Sequence, residues 1–207
     1  MPKKPIRKKF ISPTQMRREV DTVKEVFARK SERFIEAQME IAISKYKRSK
    51  LTPLRIIDEF QLALDTHLID SMPINEKSKT LAKEVIAHNA KHLGHTKEKS
   101  NVFTQEDAIL VLEKGIQYMD ALNTEKLSEL KFDAAGFREL MKAHLRTVKG
   151  NGKPFLNMNK KVIEALIRIN AAFLRQTLGE RMSTVLRELS LSTIERFRLC
   201  LNEEITN

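Results

Sequence analysis

The sequence predicts an all-α bundle of seven to eight helices, with a long first helix and a long helix near the C-terminus. Three observations lead there. Apolar residues recur at intervals of three and four, as on one face of an α-helix, and no stretch alternates with period two as a half-buried strand does. Six Gly and six Pro in 207 residues are few for the many turns of a sheet protein. Ser, Thr, Asn or Asp precedes most periodic segments, where its oxygen can accept from the orphan amides of a first helical turn.

Pro2 and Pro5 block a regular helix at the start, so residues 1–11 are expected to form a mobile basic arm. Ser12-Pro13 then opens a helix, with Ser as cap and Pro pre-shaped for the first helical position. Met16, Val20, Val23, Phe27, Lys30, Phe34, Ala37 and Ile41 alternate in steps of four and three, a heptad seam broken at Lys30. Val26, Met39, Ile43 and Tyr46 widen the seam, and the helix is expected to reach Lys47. Thr52-Pro53 repeats the opening device for a second helix through Ile57, Phe60, Leu64 and Leu68, ended by Pro73.

Asn75 caps a third helix carrying Leu81, Val85, Ile86 and Leu93, closed by Gly94, with a polar loop from His95 to Asn101. Thr104 and Asp107 have capping-box spacing ahead of Ile109, Leu112, Ile116 and Met119. A short helix follows around Glu125 to Leu130, and Asp133 caps another through Phe137, Met141 and Leu145. Lys149 to Asn157 reads as an irregular loop. Asn157 or Asn159 starts a long helix through Val162, Leu166, Phe173, Met182 and Leu189, kinked at Gly179. Ser192 with Glu195 forms a capping box for a terminal helix through Ile194, Phe197 and Leu201. Residues 12–207 are thus expected to be a single helical domain, with a sub-boundary available at 149–158.

Hydrophobic residues make up 41%, enough for a packed core. With no Trp and two Tyr, an aromatic-rich recognition surface is not expected. The single cysteine, Cys200, cannot close an internal disulfide; beside Leu199 and Leu201 it reads as a small core residue of a reducing, cytoplasmic compartment. The Lys/Arg/Pro-rich start lacks the apolar stretch of a secretory leader. The longest apolar run, Ala108–Leu112, is far short of the roughly 20 residues of a transmembrane span.

The net charge is +11, and it is not spread evenly. Residues 1–50 hold 15 Lys and Arg against 6 Asp and Glu, a net +9. A polyanion would meet that quarter first. The expected function is therefore a non-enzymatic binding protein contacting a polyanion, nucleic acid ahead of membrane. Its contacts would be Lys3, Lys4, Arg7, Lys8 and Lys9 of the arm and Arg17, Arg18, Lys45, Lys47 and Arg48 of the first helix. The arm also resembles a short nuclear-import signal. A second basic face, Arg138, Lys142, Arg146 and Lys149, recurs at helical spacing, and the short helix ahead of it gives the outline of a helix-turn-helix.

Two other functions stay open. The first helix, if its seam is left exposed, can recruit a partner helix or a second copy, as in an adaptor, a scaffold or a secreted effector. A metal-dependent helical enzyme can be built on Glu84, His88, His92 and His95, which share one stripe of a continuous helix; imidazoles one turn apart can chelate an ion if a further ligand arrives. Gly94 ends the helix before His95 and the usual His-Glu-x-x-His pattern is absent, so no metal and no cofactor is expected. No nucleophile elbow, dinucleotide fingerprint or phosphate-loop motif is present, and the paired acids Asp58-Glu59, Glu106-Asp107 and Glu203-Glu204 fit helix-end or surface positions.

Overall fold

The computed structural model describes residues 11–93, 104–130, 133–151 and 160–206. Among these residues there are eight helices and no strand: α1 (Pro13–Arg48), α2 (Pro53–Asp70), α3 (Glu76–His92), α4 (Gln105–Ala121), α5 (Thr124–Glu129), α6 (Ala134–Asn151), α7 (Lys160–Leu178) and α8 (Glu180–Thr206).

Four of the eight starts are fixed by the side chains that sequence spacing picks out. Ser12 Oγ accepts from the Gln15 amide at 3.2 Å, Asn75 Oδ1 from Ser78 at 2.8 Å and Asp133 Oδ1 from Gly136 at 2.9 Å. Thr104 and Asp107 form a complete capping box. Thr52 does not cap with its hydroxyl; α2 relies on Pro53 at its first position.

Three expectations are corrected. Gly179 breaks the C-terminal helix rather than kinking it. Its φ of +80° is open to glycine at little cost, and it separates α7 from α8. No helix begins at Ser192: α8 runs on to Thr206, and the Ser192 hydroxyl donates to the Leu189 carbonyl at 3.1 Å. The stripe Leu189, Ile194, Phe197 and Leu201 is buried on both sides of that point, so continuous burial outweighs a local cap. Finally, α6 extends to Asn151, so Lys149 and Gly150 are helical and not part of a loop. The rest of that loop, the arm up to Phe10, Gly94 and His95 lie outside the described residues.

α1 packs against α8 and α2. Ion pairs join Glu19 to Arg181, Glu32 to Arg196 and Lys47 to Glu204, so the numbers rise together and the two helices run parallel. α2 runs antiparallel to α1, since Lys45 meets Glu59 while Phe34 stacks on His67 with ring centroids 3.8 Å apart. The heptad seam holds through Phe27 and then slips by one residue. The buried positions of α1 are Val20, Phe27, Ser31, Ile35 and Ala42, whereas Lys30, Ala37 and Ile41 are exposed. Val20, Ser31 and Ala42 are eleven apart, the repeat of a nearly straight helix, because 3.6 residues per turn drift away from a strict heptad.

Two apolar clusters result. The first joins α1, α2 and α8 around Phe60, Leu64, Phe197 and Leu201, with Ala82 and Ile86 of α3. The second joins α4, α6 and α7 around Leu112, Met141, Leu166 and Ile169, with Val85 of α3, and Val148 and Val162 on either side of residues 149–158 both belong to it. Leu174 of α7 packs against both clusters. Cys200 is half-buried and its neighbour Leu199 is exposed, so only Leu201 of that trio is core.

Gly115 of α4 sets how closely that helix approaches its partners. A Cβ there would collide with Met141 of α6 and Leu166 of α7, both fully buried. Gly115→Val is expected to cost about 1–3 kcal/mol by overpacking. The check is a lowered urea midpoint at unchanged slope; an unmoved midpoint would mean that α6 and α7 yield freely.

Candidate functional site

The basic residues of α1 divide into two groups. Arg17 and Arg18 lie about 40 Å along the helix axis from Lys45, Lys47 and Arg48, given 1.5 Å per residue. Several are already paired. Arg17 Nη1 donates to Glu188 at 2.6 Å and Lys24 Nζ to the same carboxylate at 3.2 Å. Lys45 pairs with Glu59, Lys47 with Glu204, and Arg48 donates to Ser44 Oγ at 2.7 Å. Arg17 is raised above its ordinary value, chiefly by its hydrogen bond to Glu188.

Another set remains open. Arg18, Arg29 and Arg33 fall within about 60° of one another around α1 at 100° per residue, with Lys30 to one side. All four are exposed. Arg18, Lys30 and Arg33 have no ion pair among the described residues, and Arg29 has only a solvent-exposed contact with Glu25 at 3.8 Å, a kind of pair worth little. Sequence spacing does not single out Arg29, Lys30 and Arg33, because attention to the apolar seam assigns Lys30 to it. The signal is the eleven- and fifteen-residue offset from Arg18, which brings a helical residue back to nearly the same face.

The second basic face is largely neutralised. Arg138 pairs with Asp120 at 2.6 Å, Lys149 with Glu113 at 2.7 Å and Lys142 with Glu139 at 2.9 Å, so two of the cations tie α6 to α4. α5 has six residues and buries none of them.

The histidine stripe is buried, with His88 at 7% and His92 at 3% exposure. Their ring centroids are 5.0 Å apart, and the Tyr118 ring stands edge-on to His88 at 5.9 Å. Glu84 is exposed and pairs with Lys114. Among the described residues no group of three or more His, Cys, Asp or Glu is placed to hold a metal ion. Neither nitrogen of His88 has a partner at hydrogen-bonding geometry, although Asn89 lies near enough to favour the charged form slightly. Burial, then the neighbouring His92 and Lys114, pull His88 down to about 4. Burial also raises the Tyr118 hydroxyl to about 12.

A cleft of about 620 Å³ opens between α2, α3, α7 and α8, where the two apolar clusters meet. Leu62, Ile86, Leu174 and Leu186 form its walls. Asp65 and Ser190 also line it, at 8% and 5% exposure. Asp65 Oδ1 and Ser190 Oγ have no partner at hydrogen-bonding geometry. Burial pushes Asp65 up to about 7, with Ser190 and Gln61 close enough to pull weakly the other way. Exposed Arg175, Arg187 and Glu180 reach the cleft, as does the half-buried Asp58. This site is invisible to motif search, since it is assembled from four helices.

Asp65 and His88 affect the pH dependence of stability with opposite signs. His88 titrates near 4 when folded and near 6.5 when free, so its share of stability is complete above pH 6.5 and lost as pH falls toward 4. Asp65 titrates near 7 when folded and near 3.8 when free, so its share is complete below pH 3.8 and lost as pH rises through 7. His88→Gln should flatten the acid side of the unfolding free energy by on the order of 2–3 kcal/mol. Asp65→Asn should gain on the parent chain by on the order of 3 kcal/mol between about pH 4 and 8. Urea unfolding across that range checks both; variant curves parallel to the parent would contradict them.

Comparison with protein-family models, with curated proteins and with solved structures finds no match to this chain.

Proposed function

We propose that this is a non-enzymatic helical binding protein whose partner is a polyanion, nucleic acid ahead of membrane. The contact surface would combine Lys3, Lys4, Arg7, Lys8 and Lys9 with the outward face of the first half of α1, formed by Arg18, Arg29, Lys30 and Arg33. The supporting observation is the sorting of charge on α1. Arg17, Lys24, Lys45 and Lys47 are neutralised by acids of α1, α2 and α8, whereas Arg18, Lys30 and Arg33 have no ion pair among the described residues and Arg29 has only a solvent-exposed one with Glu25. These cations span about 22 Å along a straight axis, a fitting rod for a row of phosphates.

Membrane binding by α1 would need an apolar face to bury in the headgroup region. That face is occupied by α2 and α8, and Val26 and Ile41 are its exposed large apolar residues among those described. No helix among the described residues is long and apolar enough to cross a membrane.

Fluorescence anisotropy of labelled duplex DNA and single-stranded RNA, titrated with the full chain from about 50 to about 200 mM salt, tests the reading. Affinity is expected to fall steeply with salt. Replacing Arg18, Arg29 and Arg33 together by Gln should flatten the logarithmic salt slope by about 3, since each phosphate contact contributes about 0.9. Replacing Lys45 and Lys47 should leave the slope unchanged. Absence of binding at low salt, or equal losses from both sets, would overturn it.

A further inference from the structure

The cleft between α2, α3, α7 and α8 has the anatomy of a small-molecule site, and this is independent of the charge on α1. Its volume of about 620 Å³ suits a compact organic ligand. Its walls are aliphatic, from Leu62, Ile86, Leu174 and Leu186. Among the polar side chains that interrupt them, Asp65 and Ser190 are each more than nine-tenths buried, and Asp65 Oδ1 and Ser190 Oγ have no partner at good hydrogen-bonding geometry. Buried polar atoms are nearly always satisfied, and a buried carboxylate oxygen in particular leaves a large cost uncompensated. Ser190 and Gln61 lie close enough to offset only part of the cost of burying the Asp65 carboxyl, so a further donor beside it is favourable.

The sign of that donor follows from the charges around the cleft. Asp58 and Glu180 balance Arg175 and Arg187 at the rim. Asp65, deeper in the wall, is left over, so once it ionises the surplus charge of the cleft is negative and buried. A carboxylate can accept from an ammonium in a charge-assisted bond roughly twice as strong as a neutral one, and the hydroxyl of Ser190 can accept a second N–H.

We propose that this cleft binds a small organic ammonium compound: a protonated primary amine held between Asp65 and Ser190, with its apolar body against Leu62, Ile86, Leu174 and Leu186. The site belongs to the folded bundle alone, because α2 supplies the acid, α8 the hydroxyl, and α3 and α7 the opposite walls.

The test is NMR titration of the full-length, uniformly ¹⁵N-labelled chain at about pH 8, where Asp65 is largely ionised. The probes are n-butylammonium, 2-phenylethylammonium and tryptammonium, which grade the size of the apolar body. 2-Phenylethanol carries the middle body without the charge. At least one ammonium probe is expected to shift the amides of Gln61, Leu62, Ile86 and Ser190 saturably, and 2-phenylethanol to bind at least tenfold more weakly than 2-phenylethylammonium. Asp65→Asn should lower ammonium affinity at least tenfold. Its melting temperature, at or above that of the parent chain, confirms that the fold is kept, and Ser190→Ala provides a second variant with a smaller loss. Saturation by none of the three amines would overturn the proposal. Equal binding of the alcohol, or undiminished binding by a folded Asp65→Asn chain, would overturn it as well.

Discussion

A helix of 36 residues is about 54 Å long, and nothing near it in sequence can cover that length. α2, with 18 residues, reaches only half of it. The other half must come from the opposite end of the chain, and α8, with 27 residues, is what the fold supplies. The parallel pairing of α1 with α8 therefore organises the molecule. It holds the first and last elements together and puts Phe197 against Phe60 of α2 with ring centroids 4.4 Å apart. The small residues Ser31 and Ala42 recur in the buried face of α1, leaving room for close approach, while Phe27 and Ile35 fill the spaces between them. The cost is a serine hydroxyl at 0% exposure without a partner.

The same pairing decides what the charge of the N-terminal quarter can do. Glu188 takes up Arg17 and Lys24, Glu204 takes up Lys47, and the acids Glu19 and Glu32 of α1 return the arrangement by holding Arg181 and Arg196. These pairs are partly solvated, so each adds little stability, and their value lies more in fixing the register of two parallel helices. Their electrostatic consequence is larger. Cations beside α8 or α2 are paired across the interface, whereas on the far side of α1 only Arg29 has an ion pair, a solvent-exposed one within its own helix. A net charge counted along the sequence thus becomes a face only after packing has subtracted its partners.

Local chemistry was easy to read in the sequence, and packing was not. Ser12, Asn75, Asp133 and the Thr104–Asp107 box act within one turn, so spacing alone locates them. Gly179 was visible as a weak point, but whether it bends or breaks a helix depends on the angle at which α8 must leave α7 to meet α1. Ser192 carried the signature of a cap and lost to tertiary burial, as propensity does when an apolar stripe runs straight through the position. The heptad seam of α1 failed beyond Phe27 for a geometric reason: a strict heptad needs a supercoil, and a partner of unrelated sequence in a globular core imposes none.

The candidate ligand site was harder still to read, because an aspartate in a helix looks like a surface residue unless the helix has no surface there. α2 is such a helix. At 100° per residue its buried positions Ile56, Phe60, Leu64, Ile57 and Leu68 sweep from one side to about 120°, and Ile69 lies near 220°. Asp65 falls near 180°, inside that arc and between Leu68 and Ile69. An apolar arc wider than half the circumference means a helix packed on several sides, here by α1, α3 and α8, and a polar residue within it is shielded from bulk water except where a cleft opens beside it. The angle of Asp65 within the arc was therefore available from the sequence of α2. What was not available is the position of Ser190, which reaches the same point only because α8, held parallel to α1, passes α2 at that level. The constraint that buries the long first helix is thus the one that brings an acid and a hydroxyl together in an apolar cleft.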